Sequence, residues 1–162
     1  MSFLVFSRAH QIFFGLIAAL GLTHAALAEE GEGGRRVPLL PKYQQECAAC
    51  HVAYPPGMLP TGSWKRLMND LPHHYGTDAS LDPATLKEVG TWLNANAGTY
   101  KRVREEPPQD RITRSAWFIR KHDEVSSAAW KRPAVKSAAN CIACHTRSDQ
   151  GDFSERNVRI PR

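Results

Sequence analysis

The sequence predicts an all-α fold. Apolar residues recur at helical spacing in two stretches, first Trp64, Leu67, Met68 and Leu71, then Leu86, Val89, Leu93 and Ala97. No stretch of useful length alternates apolar and polar residues as a half-buried strand would. Two Cys-x-x-Cys-His pentads, Cys47-Ala48-Ala49-Cys50-His51 and Cys141-Ile142-Ala143-Cys144-His145, hold all four cysteines of the 162-residue chain. They are the only convincing internal repeat, so the helices are expected to be organised around whatever the pentads bind.

Each pentad reads as a covalent attachment site for a c-type haem. Two thiols three positions apart can add to the two vinyl groups of one macrocycle, and the histidine that follows then lies under the iron as its proximal ligand. A zinc site, a redox dithiol and a structural disulfide share the Cys-x-x-Cys spacing. None of these explains why a histidine follows both cysteine pairs at once, and the strand-helix context of a redox dithiol is missing. The expected cofactors are therefore two c-type haems, attached through Cys47 and Cys50 and through Cys141 and Cys144, with His51 and His145 as proximal ligands.

The elements follow in order along the chain. Residues 1–28 read as a secretory signal peptide, with Arg8 near the start, an apolar run of 11 residues from Ile12 to Leu22, and an A-x-A pattern at Ala26 and Ala28 before Glu29. That run is short for a membrane span, which needs about 20 residues, so a cleaved leader and export to the periplasm are expected. Residues 29–41, rich in Glu, Gly, Arg and Pro, form a flexible lead-in. A short helix then carries the first pentad near its end. Residues 54–60, with three prolines and Gly57, form a loop around the haem edge.

Ser63 is the expected N-cap of the helix bearing the Trp64 to Leu71 stripe, which ends by Pro72. A further helix starts at Ser80 or Asp82, with Pro83 at its first position, and runs to about Ala97 before Gly98. The charged segment 100–109 and Pro107-Pro108 mark a boundary between an amino-terminal haem lobe, residues 42–104, and a carboxy-terminal one, residues 105–162. Asp110 or Thr113 caps a helix through Ile112, Ala116, Ile119 and His122. A last helix, from Val135 or Ser137, delivers the second pentad.

Loss of the leader removes Arg8 and takes the formal charge from +5 to +4, which four haem propionates bring near neutrality. No basic run with interleaved aromatics points to nucleic acid. No later segment is long and apolar enough to span a membrane. The 134 residues left after 28 of 162 are removed make a small core, and two flat apolar macrocycles would enlarge it.

Histidine accounting narrows the remaining iron ligands. Of seven histidines, His10 and His24 leave with the signal and His51 and His145 are proximal, so His73, His74 and His122 are left for two distal positions. Met58, in a proline-bounded loop, competes as a thioether ligand, whereas Met68 lies on an apolar stripe and reads as packing. The second pentad has no histidine or methionine downstream, so its distal ligand comes from earlier in the chain, and His122 is nearest. The residues alone leave His73 and His74 unseparated. They also leave open a crossed arrangement in which His122 serves the first haem and His74 the second. Trp64, Trp92, Trp117 and Trp130 read as packing around the haems in preference to an electron pathway. Tyr43, Tyr54 and Tyr75 are candidate donors to propionates.

Several segments carry a family likeness. The stretch Cys47 to Pro55, the run Leu71-Pro72-His73-His74-Tyr75-Gly76, Arg111-Ile112-Thr113 leading to Trp117-Phe118, and Ser137-Ala138-Ala139-Asn140-Cys141 with the Ile160-Pro161 ending resemble the small dihaem cytochrome c family of proteobacteria. The resemblance implies a soluble periplasmic electron carrier with two bis-histidine haems. It implies as partners a monohaem c-type cytochrome that binds oxygen and a membrane b-type cytochrome. The family's His-aromatic-Gly pattern selects His74 over His73, and its members need no methionine at the Met58 position.

With histidine on both faces of both irons, no position remains for an exogenous ligand, and electron transfer is the expected task. The rival is a small haem enzyme of peroxidase or reductase type in which one distal ligand dissociates. A haem-based sensor is a further class, for which the chain offers no output domain.

Overall fold

The computed structural model describes residues 37–162. The expected leader, and the lead-in as far as residue 36, lie outside the described residues. Five α-helices, joined by short 3₁₀ turns, make up the regular structure among the described residues, with isolated β-bridges and no strand.

The first helix, α1 (Pro41–Cys47), starts with a proline at its first position after the extended Leu40 and ends on the first cysteine of the first pentad. The expected loop contains one 3₁₀ turn, Pro56–Met58. Its Pro56 carbonyl accepts the Trp64 indole N–H at 2.7 Å, which ties the loop to the helix that follows. That helix, α2 (Thr61–Asn69), begins three residues earlier than the sequence suggested, with Pro60 at the cap position in place of Ser63. Pro60 combines a proline φ of −73° with an extended ψ of 161° and the chain turns helical directly after it, so Ser63 is a buried interior residue instead of the cap.

For α3 (Pro83–Ala95) the expected signals hold. The Asp82 carboxylate accepts from the Ala84 and Thr85 amides at 3.0 and 3.1 Å, and Pro83 opens the helix. Helices α2 and α3 pack together over a core of Tyr43, Ala53, Leu59, Trp64, Val89 and Leu93, with Leu67, Met68 and Trp92 against its edge. Met68 is thus packing, as its stripe implied. Gly98 closes this core beneath the loop: its amide donates to the Leu59 carbonyl at 2.8 Å. A Cβ there would stand 2.5 Å from both the Gly57 carbonyl oxygen and Val103, so no larger residue fits.

The later helices depart from expectation. The cap of α4 (Ala116–Lys121) is Ser115, whose hydroxyl accepts from the Phe118 amide at 3.2 Å and donates to the Ile112 carbonyl at 2.7 Å. Asp110 cannot serve because it sits at φ 54° in a turn and binds Arg66, and Thr113 is inside a 3₁₀ turn. Phe118 is buried and Ile119 exposed, so the buried face is rotated from the expected one. A short α5 (Ser127–Trp130), capped by Ser126, was not anticipated.

No α-helix delivers the second pentad. Lys136 adopts φ 65°, which breaks helical propagation, and only a 3₁₀ turn, Cys141–Ala143, remains. The carboxy-terminal tail braces that turn: the Arg159 amide donates to the Cys144 carbonyl at 2.8 Å, and His145 bridges to Val158.

Candidate functional site

The first candidate site begins at the end of α1. His51 follows Cys50 in a bend, and its Nδ1 donates to the Val52 carbonyl at 2.8 Å, which leaves Nε2 as the free lone pair. The Tyr54 ring stacks on His51 at 4.9 Å, and its hydroxyl donates to the carbonyl of Ala139, two residues before the second pentad, at 2.9 Å.

His74 faces His51 with ring centroids 6.2 Å apart and planes 26° from parallel. It follows the 3₁₀ turn Leu71–His73 and precedes Tyr75, a non-glycine residue at φ 51°. Its neighbour His73 bonds Asp70 at 2.7 Å, with 80% of its side chain exposed. The structure therefore separates the two histidines that the residues alone left together: His74 faces the first pentad, and His73 faces water.

The second site repeats the geometry from different elements. His122 follows α4 as its C-cap, where its Nδ1 donates to the Phe118 carbonyl one turn back at 2.9 Å. Its ring stacks on Phe118 at 4.0 Å. Opposite it is His145, at 6.0 Å between centroids and 68° between planes, with the Phe153 ring 5.4 Å from His145. The pairs are uncrossed: His74 faces His51, and His122 faces His145. Met58 is in neither pair.

These separations can be tested against an iron. A metal–nitrogen bond of about 2 Å plus about 1 Å from nitrogen to ring centre, taken twice, spans about 6 Å, matching the 6.2 and 6.0 Å found. Burial and the facing imidazole push His74 and His145 below the ordinary histidine range, with Arg111 adding to the effect on His74. Both are thus biased toward the neutral form a metal needs. Burial pushes the Cys47 and Cys141 thiols up to about 11. A redox dithiol would show the opposite, a lowered thiol. No cluster of three or more His, Cys, Asp or Glu side chains among the described residues could hold a metal alone, so a zinc site finds no support.

Sequence reasoning missed several contacts. The hydroxyls of Tyr43, Tyr54 and Tyr75, candidate donors to propionates, donate to the carbonyls of Tyr54, Ala139 and Gln109 at 2.9, 2.9 and 3.0 Å. Phe118 lies four residues before His122, a spacing at which helical side chains meet, so that contact was readable. The stacking of Tyr54 on His51 had no such signal.

Paired cysteines followed by histidine, each facing a second imidazole across a gap sized for iron in a helical fold, define a c-type cytochrome with two haems. The profile of the family described as dihaem cytochrome c matches residues 43–153, and the chain belongs to that family. The solved dihaem cytochrome c of Shewanella baltica is 35% identical, with a TM-score of 0.67 over 77% of this chain and 95% of that one. Two structures of the Rhodobacter sphaeroides dihaem cytochrome are 44% and 41% identical, with TM-scores of 0.62 and 0.63 over 72% of this chain and 99% and 100% of those. No curated protein matches the chain. The cofactors are accordingly two c-type haems, and membership of the family supports an electron-carrier role.

Proposed function

We propose that the protein is a periplasmic carrier of single electrons, exported through the leader at residues 1–28, with His51 and His74 ligating one haem iron and His145 and His122 the other. The observation that carries this reading is the pair of imidazole separations, 6.2 and 6.0 Å. Bound haem supplies a one-electron ferric/ferrous couple. The chain's residues do the rest. Cys47, Cys50, Cys141 and Cys144 fix the macrocycles, and the Val52 and Phe118 carbonyls orient His51 and His122. Histidine on both faces leaves no position for substrate, and two nitrogen ligands favour the ferric state more than a His/Met pair does, so both potentials lie low.

Among the described residues no helix is long and apolar enough to cross a membrane. The proposed partners are a monohaem c-type cytochrome and a membrane b-type cytochrome. The experiment is a ferric low-temperature spin-resonance spectrum together with carbon monoxide added to the reduced holoprotein. Two low-spin signals and no carbon monoxide adduct are expected; a high-spin signal or rapid adduct formation at neutral pH overturns the reading in favour of a haem enzyme.

A further inference from the structure

The two candidate distal histidines are held in different ways. His122 is gripped by its own helix, through the Nδ1 bond to Phe118 and the stacked Phe118 ring. His74 has no such grip: its Nδ1 is buried with no hydrogen-bond partner among the described residues. Besides His51 across the gap, the ring that touches it is Tyr75, at 4.9 Å between centroids. Tyr75 stands at φ 51°, where a bulky residue persists only if its surroundings hold it.

What holds Tyr75 comes from a distant stretch of chain. Its hydroxyl donates to the Gln109 carbonyl at 3.0 Å, and the Arg111 guanidinium lies over its ring at 4.0 Å. Gln109 and Asp110, between these two contacts, are themselves at φ 58° and 54°, consecutive non-glycine residues in the left-handed region. This turn is fastened in turn to α2. Arg66 donates from Nε and Nη2 to the two Asp110 carboxylate oxygens at 2.9 and 2.6 Å, and from Nη2 to Glu106 at 2.8 Å. A guanidinium gripping both oxygens of one carboxylate fixes direction as well as distance. Arg114 adds a bond to the Gln109 side chain at 2.6 Å.

From this chain of contacts we propose that Arg66, acting through Asp110 and the Gln109 to Arg111 turn, is a positioning residue for His74. Arg66 touches no haem ligand; it braces the turn that holds Tyr75, and Tyr75 holds the imidazole. The inference rests on the reading of His74 as the distal ligand of the first haem. Its consequence is an asymmetry between the sites. Loosening the clamp raises the fraction of molecules in which His74 has swung away from the iron, and leaves the second site, with its own local grip, unchanged.

Carbon monoxide is a suitable probe because it needs a vacated position, so its apparent affinity scales with the detached fraction. The test uses reduced holoprotein carrying both haems, comparing wild type, Arg66→Gln, Tyr75→Phe, His74→Ala and, as a control, Lys121→Gln, which removes the exposed ion pair of Lys121 with Glu155 at 3.8 Å. Expected is no adduct in wild type or Lys121→Gln, and one adduct per chain in His74→Ala. Arg66→Gln should form an adduct at one haem at a carbon monoxide concentration about tenfold or more below the highest at which wild type still shows none. Tyr75→Phe, which keeps the ring and loses the bond to Gln109, should fall between them and serves if Arg66→Gln does not fold. Arg66→Lys, which keeps the charge and loses the two-pronged grip, should restore wild-type behaviour only in part. If wild type itself binds carbon monoxide, or His74→Ala does not, the ligand reading fails. If His74→Ala opens the site while Arg66→Gln and Tyr75→Phe stay closed, the ligand reading stands and the positioning role is overturned.

Discussion

The imidazole planes are 26° apart in the first pair and 68° apart in the second. In a low-spin ferric haem, near-parallel imidazoles split the two π-type iron d orbitals widely, and near-perpendicular ones leave them almost equal. The first site should therefore give an ordinary rhombic spin-resonance signal, and the second a broad signal of high anisotropy. Replacing His122 by alanine withdraws one nitrogen from one iron of the two, so about half of the integrated low-spin intensity should convert to high spin. The half that disappears should be the broad signal, because the 68° pair is the one that contains His122. Both haems stay attached, since Cys141 and Cys144 are untouched. The assay is quantitative low-temperature spin resonance on the ferric holoprotein, with His74→Ala as the reciprocal variant that should remove the rhombic half. Loss of the rhombic signal in His122→Ala, or retention of full low-spin intensity, would refute the pairing.

Other expectations can be checked with ordinary stability and redox measurements. Leu93 is fully buried between α3 and the rest of the core, and Leu93→Ala should cost about 2 to 5 kcal/mol in denaturant unfolding with haem content unchanged. Met58→Leu should leave both midpoint potentials where they are if histidine ligates each face of each iron, as proposed; a large shift in spectroelectrochemical titration would place the thioether on iron. Hydrogen bonds from Arg66 hold the Asp110 carboxyl below its ordinary range. A folded-state value that is depressed contributes stability above the unfolded carboxylate pKa and loses it as pH falls through the lowered value. Acid unfolding of wild type should thus show an excess loss of stability below the ordinary carboxylate range that Asp110→Asn lacks, and a superimposable pair of curves would remove Asp110 from that role.

Much of this molecule was legible in its sequence, for reasons that differ by element. The pentads were readable because covalent attachment demands a fixed local pattern, and α3 because Asp82 and Pro83 are strong local start signals beside a regular apolar stripe. The start of α2 was misread because Ser63 is a good cap by type, while Pro60 had already set the chain for helix. The expected helix before the second pentad failed at Lys136, whose left-handed backbone no propensity foretells. His73 and His74 could not be parted by composition, since both are histidines on one turn; the Asp70 bond and the Tyr75 turn separate them in space. The contacts of Arg66 with Asp110, and of Tyr54 with Ala139, span 44 and 85 residues and leave no periodic trace.

The uncrossed pairing also bears on how such a chain can be assembled. Each facing pair closes a stretch of 23 residues, from His51 to His74 and from His122 to His145, whereas crossing would have required two closures of 71. By the logarithmic cost of loop closure, each longer loop would have added about 1 kcal/mol of chain entropy. More consequential is locality: the proposed first ligand set lies wholly within residues 51–74, ahead of the second pentad along the chain. Haem attachment and folding can then proceed as two short-range episodes, one in each half of the exported chain. A folding path of low contact order is thereby built into the positions of four histidines.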